Sequence, residues 1–126
     1  MDSINLISGI IVDTAFNIHR RLGPGLLESV YETILESELK KHKLDVERQK
    51  AIPIVFEGIA FNEGFRADLI VNKCIIIEIK SVETISPVHC KQLLTYIRLL
   101  DYRLGLLINF GAPVMKDGIK RIVNKL

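Results

Sequence analysis

Residues 67–80 have the sequence ADLIVNKCIIIEIK, and this stretch decides the fold. Two apolar runs flank Asn72-Lys73, where asparagine favours a turn, so the pattern predicts two strands joined as a hairpin. The second run is rich in isoleucine, which favours a central strand covered on both faces. Because side chains alternate along a strand, Glu78 and Lys80 share one face of it.

The register of this hairpin follows from its charged residues. We expect Asp68 on the first strand to lie opposite Glu78 on the second, which pairs Val71 with Ile75 and leaves a connection of ordinary length. A shorter connection would pair Val71 with Cys74 and would turn Asp68 away from Glu78.

The arrangement of Asp68, Glu78 and Lys80 suggests a metal-binding site. Two adjacent ionised carboxylates repel each other, and a hard divalent cation such as Mg²⁺, which prefers oxygen ligands, relieves that repulsion. A lysine beside the cation can orient a water or stabilise charge on a phosphate, as in metal-assisted phosphodiester hydrolysis. The alternative is that Glu78 and Lys80 are ordinary surface charges, since short motifs often match by chance.

Two further polar residues fall on helical patterns. Glu28 precedes Tyr31 by three residues and Leu35 by seven, which places it on the buried side of a helix, near the core. Its alternative role is a favourable interaction with the helix dipole. Gln92 shares a helix flank with Tyr96 and is expected to face the sheet, where its amide could bind a phosphate or a water; the alternative is a boundary residue.

The rest of the chain predicts an α/β fold with the order α-α-β-β-β-α-β, in which Pro53 marks an edge strand or a bulge. Ser86 is expected to be the N-cap of the third helix, with Pro87 as its first residue. The predicted helices cover residues 5–21, 26–42 and 87–101, and the predicted strands cover residues 46–56, 65–71, 74–82 and 104–110, with a possible final short strand at 119–123.

Length and composition suit one domain over residues 1–126, because 48% hydrophobic residues can form one core. The net charge of +2 does not by itself indicate a nucleic-acid-binding protein. Residues 1–12 lack a basic start, and their apolar run breaks at Asp13, too early for a signal peptide or a membrane span. We therefore expect a cytoplasmic protein with no membrane partner.

Residues 25–31, GLLESVY, resemble the signature of the GxxExxY protein family, which in turn resembles the PD-(D/E)XK nuclease superfamily. The likeness covers almost the whole chain, and its motifs occur in the right order. They are the strand 67–71, the IEIK sequence at 77–80, Gln92 with Tyr96, and the strand 107–111. The proline of the superfamily name is replaced by Ala67.

This resemblance implies a restriction-endonuclease-like mixed sheet and a metal site. Asp68 and Glu78 would bind Mg²⁺, with Mn²⁺ as a possible substitute, and the Ile79 carbonyl would be a third ligand. Glu28 would match a helix acid that binds the metal directly or through water.

The resemblance also implies that Lys80 positions or activates the attacking water and that Gln92 is the polar residue of the following helix. The function expected is a Mg²⁺-dependent nuclease, with DNA favoured as its substrate. The alternatives are a non-catalytic module that binds nucleic acid or a partner, and an enzyme acting on another phosphate ester. A homodimer is possible, because cutting both strands of a duplex calls for a second copy.

Overall fold

The structure, a computed structural model, describes residues 3–126; Met1 and Asp2, which belong to the segment used for the location prediction, lie outside it. The predicted order of elements is confirmed, with the final strand present and one short helix that the sequence pattern did not predict. The elements are α1 (Ile4–Leu22), α2 (Glu28–Lys41), β1 (Val46–Phe56), β2 (Ile59–Val71), β3 (Ile75–Lys80), α3 (Pro87–Leu99), β4 (Leu104–Asn109), α4 (Met115–Gly118) and β5 (Ile119–Val123).

The five strands form one mixed sheet in the order β1-β2-β3-β4-β5. Only β3 and β4 are parallel, and α3 connects them, since parallel neighbours need a crossover. As predicted, β3 is the central strand and β1 lies at an edge.

Each face of the sheet carries its own apolar core. Ile75, Ile77 and Ile79 pack in the cluster that contains residues of α1 and α2, whereas Ile76 packs with Leu93 and others under α3. The strand therefore alternates as the sequence predicted, and Glu78, two residues after Ile76, is directed to the side of α3. Among residues 3–126, no helix has both the length and the apolar character needed to cross a bilayer.

Strand β2 is longer than predicted, because it begins at Ile59 and not at Phe65. A tight turn at Glu57-Gly58, where both φ angles are positive, reverses the chain and pairs the added residues with β1. The register shifts between Ile52 and Ile54, at the proline that predicted an edge or a bulge. Residues 54–61 thus form a two-stranded extension, which we call the hairpin arm.

Candidate active site

Asp68 and Glu78 lie just beyond the last backbone pair of β2 and β3, where side-chain hydrogen bonds connect the two strands. The ladder runs from Val71 opposite Ile75 to Leu69 opposite Ile77, so the predicted register is confirmed. At the next position, Asp68 N–H donates to Glu78 Oε2 at 2.9 Å. In return, Ile79 N–H donates to Asp68 Oδ2 at 2.8 Å. The two carboxylates therefore sit side by side, each fixed to the opposite strand.

Burial makes ionisation of both acids costly. The pKa of Glu78 is raised from 4.5 to about 8, chiefly by burial and then by the charge on Asp68, whereas the Asp68 N–H and Lys80 oppose the rise. Burial is also the largest cause of the raised pKa of Asp68. A nearby cation would offset both effects, so these acids have the electrostatic character of a cation site.

Lys80 and the Ile79 carbonyl extend the arrangement along β3. Lys80 is half-buried, and its charge lowers the pKa values of both Asp68 and Glu78, which places it close to the two acids. In a strand, the N–H and C=O of one residue point to the same neighbour. Because Ile79 N–H points to Asp68, the Ile79 carbonyl lies on that same edge, beside the carboxylates.

Glu28 reaches the site from the first turn of α2. Its Oε2 accepts a hydrogen bond of 3.3 Å from Ser81 N–H, and it lines a cavity of about 260 Å³ together with Asp68 and Ile79. The prediction that Glu28 lies near the core is wrong, since it is exposed. Helix α2 begins at Glu28 itself, so this side chain projects from the open end of the helix.

Tyr31 explains how the loop before Glu28 is held. Its buried ring stacks on Phe110 with centroids 4.4 Å apart. Its hydroxyl donates to the Gly23 carbonyl at 2.6 Å and accepts from Leu26 N–H at 3.1 Å. The tyrosine thereby fixes both the approach to α2 and the start of the helix.

Gln92 and Tyr96 approach the acids from α3. The Tyr96 ring stacks on Phe65 with centroids 3.9 Å apart. The pKa of Tyr96 is raised by burial and then by the charges on Glu78 and Asp68, whereas a hydrogen bond with Gln92 lowers it. Gln92 is exposed and lies at the rim, not packed against the sheet as its spacing predicted.

The structure adds two residues that the sequence analysis missed, Glu32 and Gln49. Glu32 is buried, with 5% of its surface exposed, and accepts hydrogen bonds from Arg48 Nε at 3.0 Å and Gln49 Nε2 at 2.7 Å. Gln49 Nε2 also donates to Asp68 Oδ1 at 3.3 Å. One available signal was that Glu32 follows Glu28 by one helical turn.

The sequence profile of the PD-(D/E)XK nuclease superfamily matches residues 5–122. The chain belongs to this superfamily. The crystal structure of SSO0001 is similar over 79% of this chain and 51% of that chain, with a TM-score of 0.56 and 28% identity. The chain therefore spans about half the length of that relative. No curated protein is significantly similar in sequence.

Membership confirms the restriction-endonuclease-like fold. Nucleases of this superfamily generally use a divalent metal such as Mg²⁺. The narrower assignment to the GxxExxY family stays a prediction from the motif.

The donor set of this PD-(D/E)XK chain fits a hard cation, because Asp68 and Glu78 offer carboxylate oxygens and Ile79 a carbonyl oxygen on one edge. Within residues 3–126, no three His, Cys, Asp or Glu side chains are gathered around one point as a ligand set. Glu28 lines one cavity with Asp68 and Ile79, so its predicted role at the metal, directly or through water, stays a prediction.

Asn109 holds the segment that follows Lys80 in the PD-(D/E)XK site. Its Oδ1 accepts from Val82 N–H and from Gly111 N–H, each at 3.0 Å, and its Nδ2 donates to the Val82 carbonyl at 2.8 Å. A Cβ at Gly111 would lie 2.4 Å from that carbonyl oxygen, so the close approach requires glycine. Asn109 is therefore a structural residue, a role the sequence did not indicate.

Proposed function

We propose that this chain is a Mg²⁺-dependent nuclease that hydrolyses phosphodiester bonds, with DNA as its favoured substrate. The observation that carries the proposal is the pairing of the Asp68 and Glu78 carboxylates across β2 and β3, with Lys80 on the same strand as Glu78. The superfamily match supports the same chemistry.

Asp68, Glu78 and the Ile79 carbonyl are the residues that would hold the metal. A divalent ion held there would supply Lewis-acid chemistry, polarising a phosphoryl oxygen and lowering the pKa of a water. The raised pKa of Glu78 supports this assignment, because a buried carboxylate that lacks a cation retains its proton more strongly.

Lys80, Glu28 and Gln92 have different tasks in this proposal. The Lys80 ammonium orients the attacking water and stabilises negative charge that develops on the phosphate. Glu28, at the open start of α2, would help to hold the metal directly or through a water. Gln92, exposed at the rim beside Tyr96, donates its amide hydrogens to a phosphate oxygen of the bound strand.

We also infer that the hairpin arm makes the chain a homodimer. Cross-strand pairing places Phe56 and Ile59 opposite each other, and Phe61 opposite Ile54, so that one face of the arm is apolar. Phe56, Ile59 and Phe61 are each more than half exposed. Residues 54–61 contain no lysine or arginine, which argues against a phosphate backbone as the occupant. A second copy supplies a matching apolar face across a two-fold axis.

The oligomeric state tests this inference. Sedimentation velocity over a range of concentrations is expected to show a dimer for the parent and a monomer for Phe61→Asp. Leu6→Asp, a control at an exposed position of α1, is expected to keep the dimer. A monomeric parent at every concentration would contradict the dimer without touching the proposed chemistry.

The experiment for the function is a cleavage panel with labelled single-stranded, double-stranded and branched DNA, and with RNA. We expect cutting with Mg²⁺ or Mn²⁺ and none with EDTA. An absence of cutting on every substrate, combined with salt-dependent binding, would replace the nuclease with a non-catalytic nucleic-acid-binding module.

A further inference from the structure

Gln49 has a backbone conformation that is unusual for the interior of a strand. Its φ angle is +51°, in the left-handed region, which non-glycine residues adopt at a cost. It lies between two regular pairs of β1 and β2, Arg48 with Leu69 and Lys50 with Ala67, and so falls across from Asp68.

A neighbouring arginine holds this conformation. Arg66 Nη1 donates a hydrogen bond of 2.8 Å to the Gln49 carbonyl oxygen. With its backbone fixed in this way, the Gln49 side chain is directed towards the acids. Strained residues of this kind cluster at functional sites.

The Gln49 amide bridges two carboxylates. Its Nε2 donates to Glu32 Oε1 at 2.7 Å and to Asp68 Oδ1 at 3.3 Å. Only the NH₂ end of a glutamine can donate, so these acceptors fix which end of the amide faces the acids. Arg48 Nε binds the other Glu32 oxygen at 3.0 Å, so Glu32 is itself held in place.

The contacts of Asp68 are divided between two donors. Oδ2 accepts from Ile79 N–H and Oδ1 accepts from Gln49. Without the amide, Asp68 would lose the donor on Oδ1 and would face the Glu32 carboxylate with nothing between the two charges. The plane of the Asp68 carboxylate would then be set by one hydrogen bond only.

We propose that Gln49 is a positioning residue of the nuclease site, which sets the orientation of the Asp68 carboxylate and acts with Glu32 as its support. This inference rests on the proposed function, because Asp68 is there a metal ligand. The Gln49 amide acts through Asp68, since its hydrogen bonds go to the Asp68 and Glu32 carboxylates. Residues that orient metal ligands typically affect metal affinity or activity by about 10–100-fold.

Substitution by a residue of similar length separates positioning from a general role in folding. For Gln49→Met we expect the Kd for Mn²⁺, measured by calorimetry, to rise at least about tenfold. We expect kcat to fall and KM for nucleic acid to stay within about twofold, because the substrate contacts are unchanged. Lys50→Met, on the same strand and without a contact to Asp68, is expected to keep the parent's Mn²⁺ affinity.

A purely structural role gives another pattern. Gln49→Met would then lower Tm, yet the folded fraction would bind Mn²⁺ and cut as the parent does. That result would overturn the proposal. If Gln49→Met does not fold, Glu32→Gln tests the same support, because it alters the carboxylate on the other side of the amide. We then expect the Kd for Mn²⁺ to rise and kcat to fall, as for Gln49→Met.

A second readout needs neither metal nor activity. The chain has two glutamines, Gln49 and Gln92, so ¹⁵N labelling of the glutamine side chains gives two NH₂ groups, each with a pair of proton signals, and Gln49→Met identifies one pair. In the metal-free parent, we expect the Gln49 amide to exchange slowly with water and to shift in both Asp68→Ala and Glu32→Gln. If the Gln49 amide exchanges freely with water and its signal shifts in neither variant, its hydrogen bonds to Asp68 and Glu32 are contradicted.

The two readouts also separate the two proposals. A parent that binds no Mn²⁺ and cuts nothing would end the proposed function, while a protected Gln49 amide would still show that it positions Asp68. The positioning role alone would be wrong if the parent binds Mn²⁺ and cuts nucleic acid while its Gln49 amide exchanges freely and Gln49→Met behaves as the parent does.

Discussion

Asp68 and Glu78 exchange hydrogen bonds between two strands, since Glu78 accepts from the Asp68 N–H and Asp68 accepts from the N–H of Ile79, next to Glu78. The side chains thus replace the backbone ladder at the point where it ends. This exchange brings the buried Glu78 carboxylate next to the half-buried Asp68 carboxylate, and holding both charges there is costly without a cation.

The metal-free protein is expected to lose stability as the pH rises. The pKa of Glu78 is raised to about 8 in the folded chain, against 4.5 ordinarily, so the folded state holds this proton more tightly than the unfolded state. The resulting stabilisation is complete below pH 4.5 and is lost as the pH passes through about 8. Calorimetry in EDTA should show that Tm falls more steeply for the parent than for Glu78→Gln, with a difference of roughly 10 °C or more between pH 5 and pH 9. An equal dependence of Tm on pH in the two proteins would contradict the raised pKa of Glu78.

Metal binding is expected to release a proton. Near pH 7 the Glu78 carboxyl is largely protonated in the folded chain, and a bound cation requires the carboxylate. Titration with Mn²⁺ in buffers of different ionisation enthalpy should show release of about one proton per ion. Glu57→Gln, in the turn of the hairpin arm, should release the same number. A binding heat that does not depend on the buffer would exclude Glu78 as a ligand.

Removing the Asn109 carboxamide is expected to destabilise the fold. Asn109→Ala loses three hydrogen bonds to Val82 and Gly111, so we expect a loss of about 3 kcal/mol in the free energy of unfolding. Asn62→Ala, at an exposed position of β2, should change it by less than about 0.5 kcal/mol. Urea denaturation measures both, and similar small changes in the two variants would refute the structural role.

The Tyr31 hydroxyl is expected to matter for cleavage as well as for stability. Tyr31→Phe keeps the ring on Phe110 but loses the bonds to Gly23 and Leu26, which hold the start of α2. We expect a loss of about 1–2 kcal/mol in stability and a lower kcat, because Glu28 is then less well placed. Tyr102→Phe serves as the matched control, and cleavage that is equal in both variants would separate Tyr31 from the site.

Much of the fold could be predicted because its signals are local. The strands Val46–Phe56 and Ile119–Val123 have the predicted bounds, and Ser86 caps α3 as expected, with its hydroxyl accepting from Val88 N–H. The hairpin register followed from the requirement that two charged residues on apolar strands face each other. These features depend on alternation, capping and charge within short stretches.

The missed features depend on the assembled structure. The first half of β2 has no clear alternation, and its pairing follows from the turn at Glu57-Gly58. Gln49 occupies a left-handed conformation that no local signal favours for glutamine, and Arg66 and two carboxylates hold it there. Glu28 was placed by helical spacing alone, which does not show where a helix begins.

We propose that one metal-dependent nuclease site contains Asp68, Glu78 and Lys80. The most direct test compares the parent with Glu78→Gln and Lys80→Ala for both Mn²⁺ binding and cleavage, with Lys41→Ala at the far end of α2 as control. We predict that Glu78→Gln loses binding and cleavage, that Lys80→Ala loses cleavage but keeps binding, and that the control keeps both. Cleavage retained at the parent's rate in Glu78→Gln and Lys80→Ala would show that these residues do not form the active site.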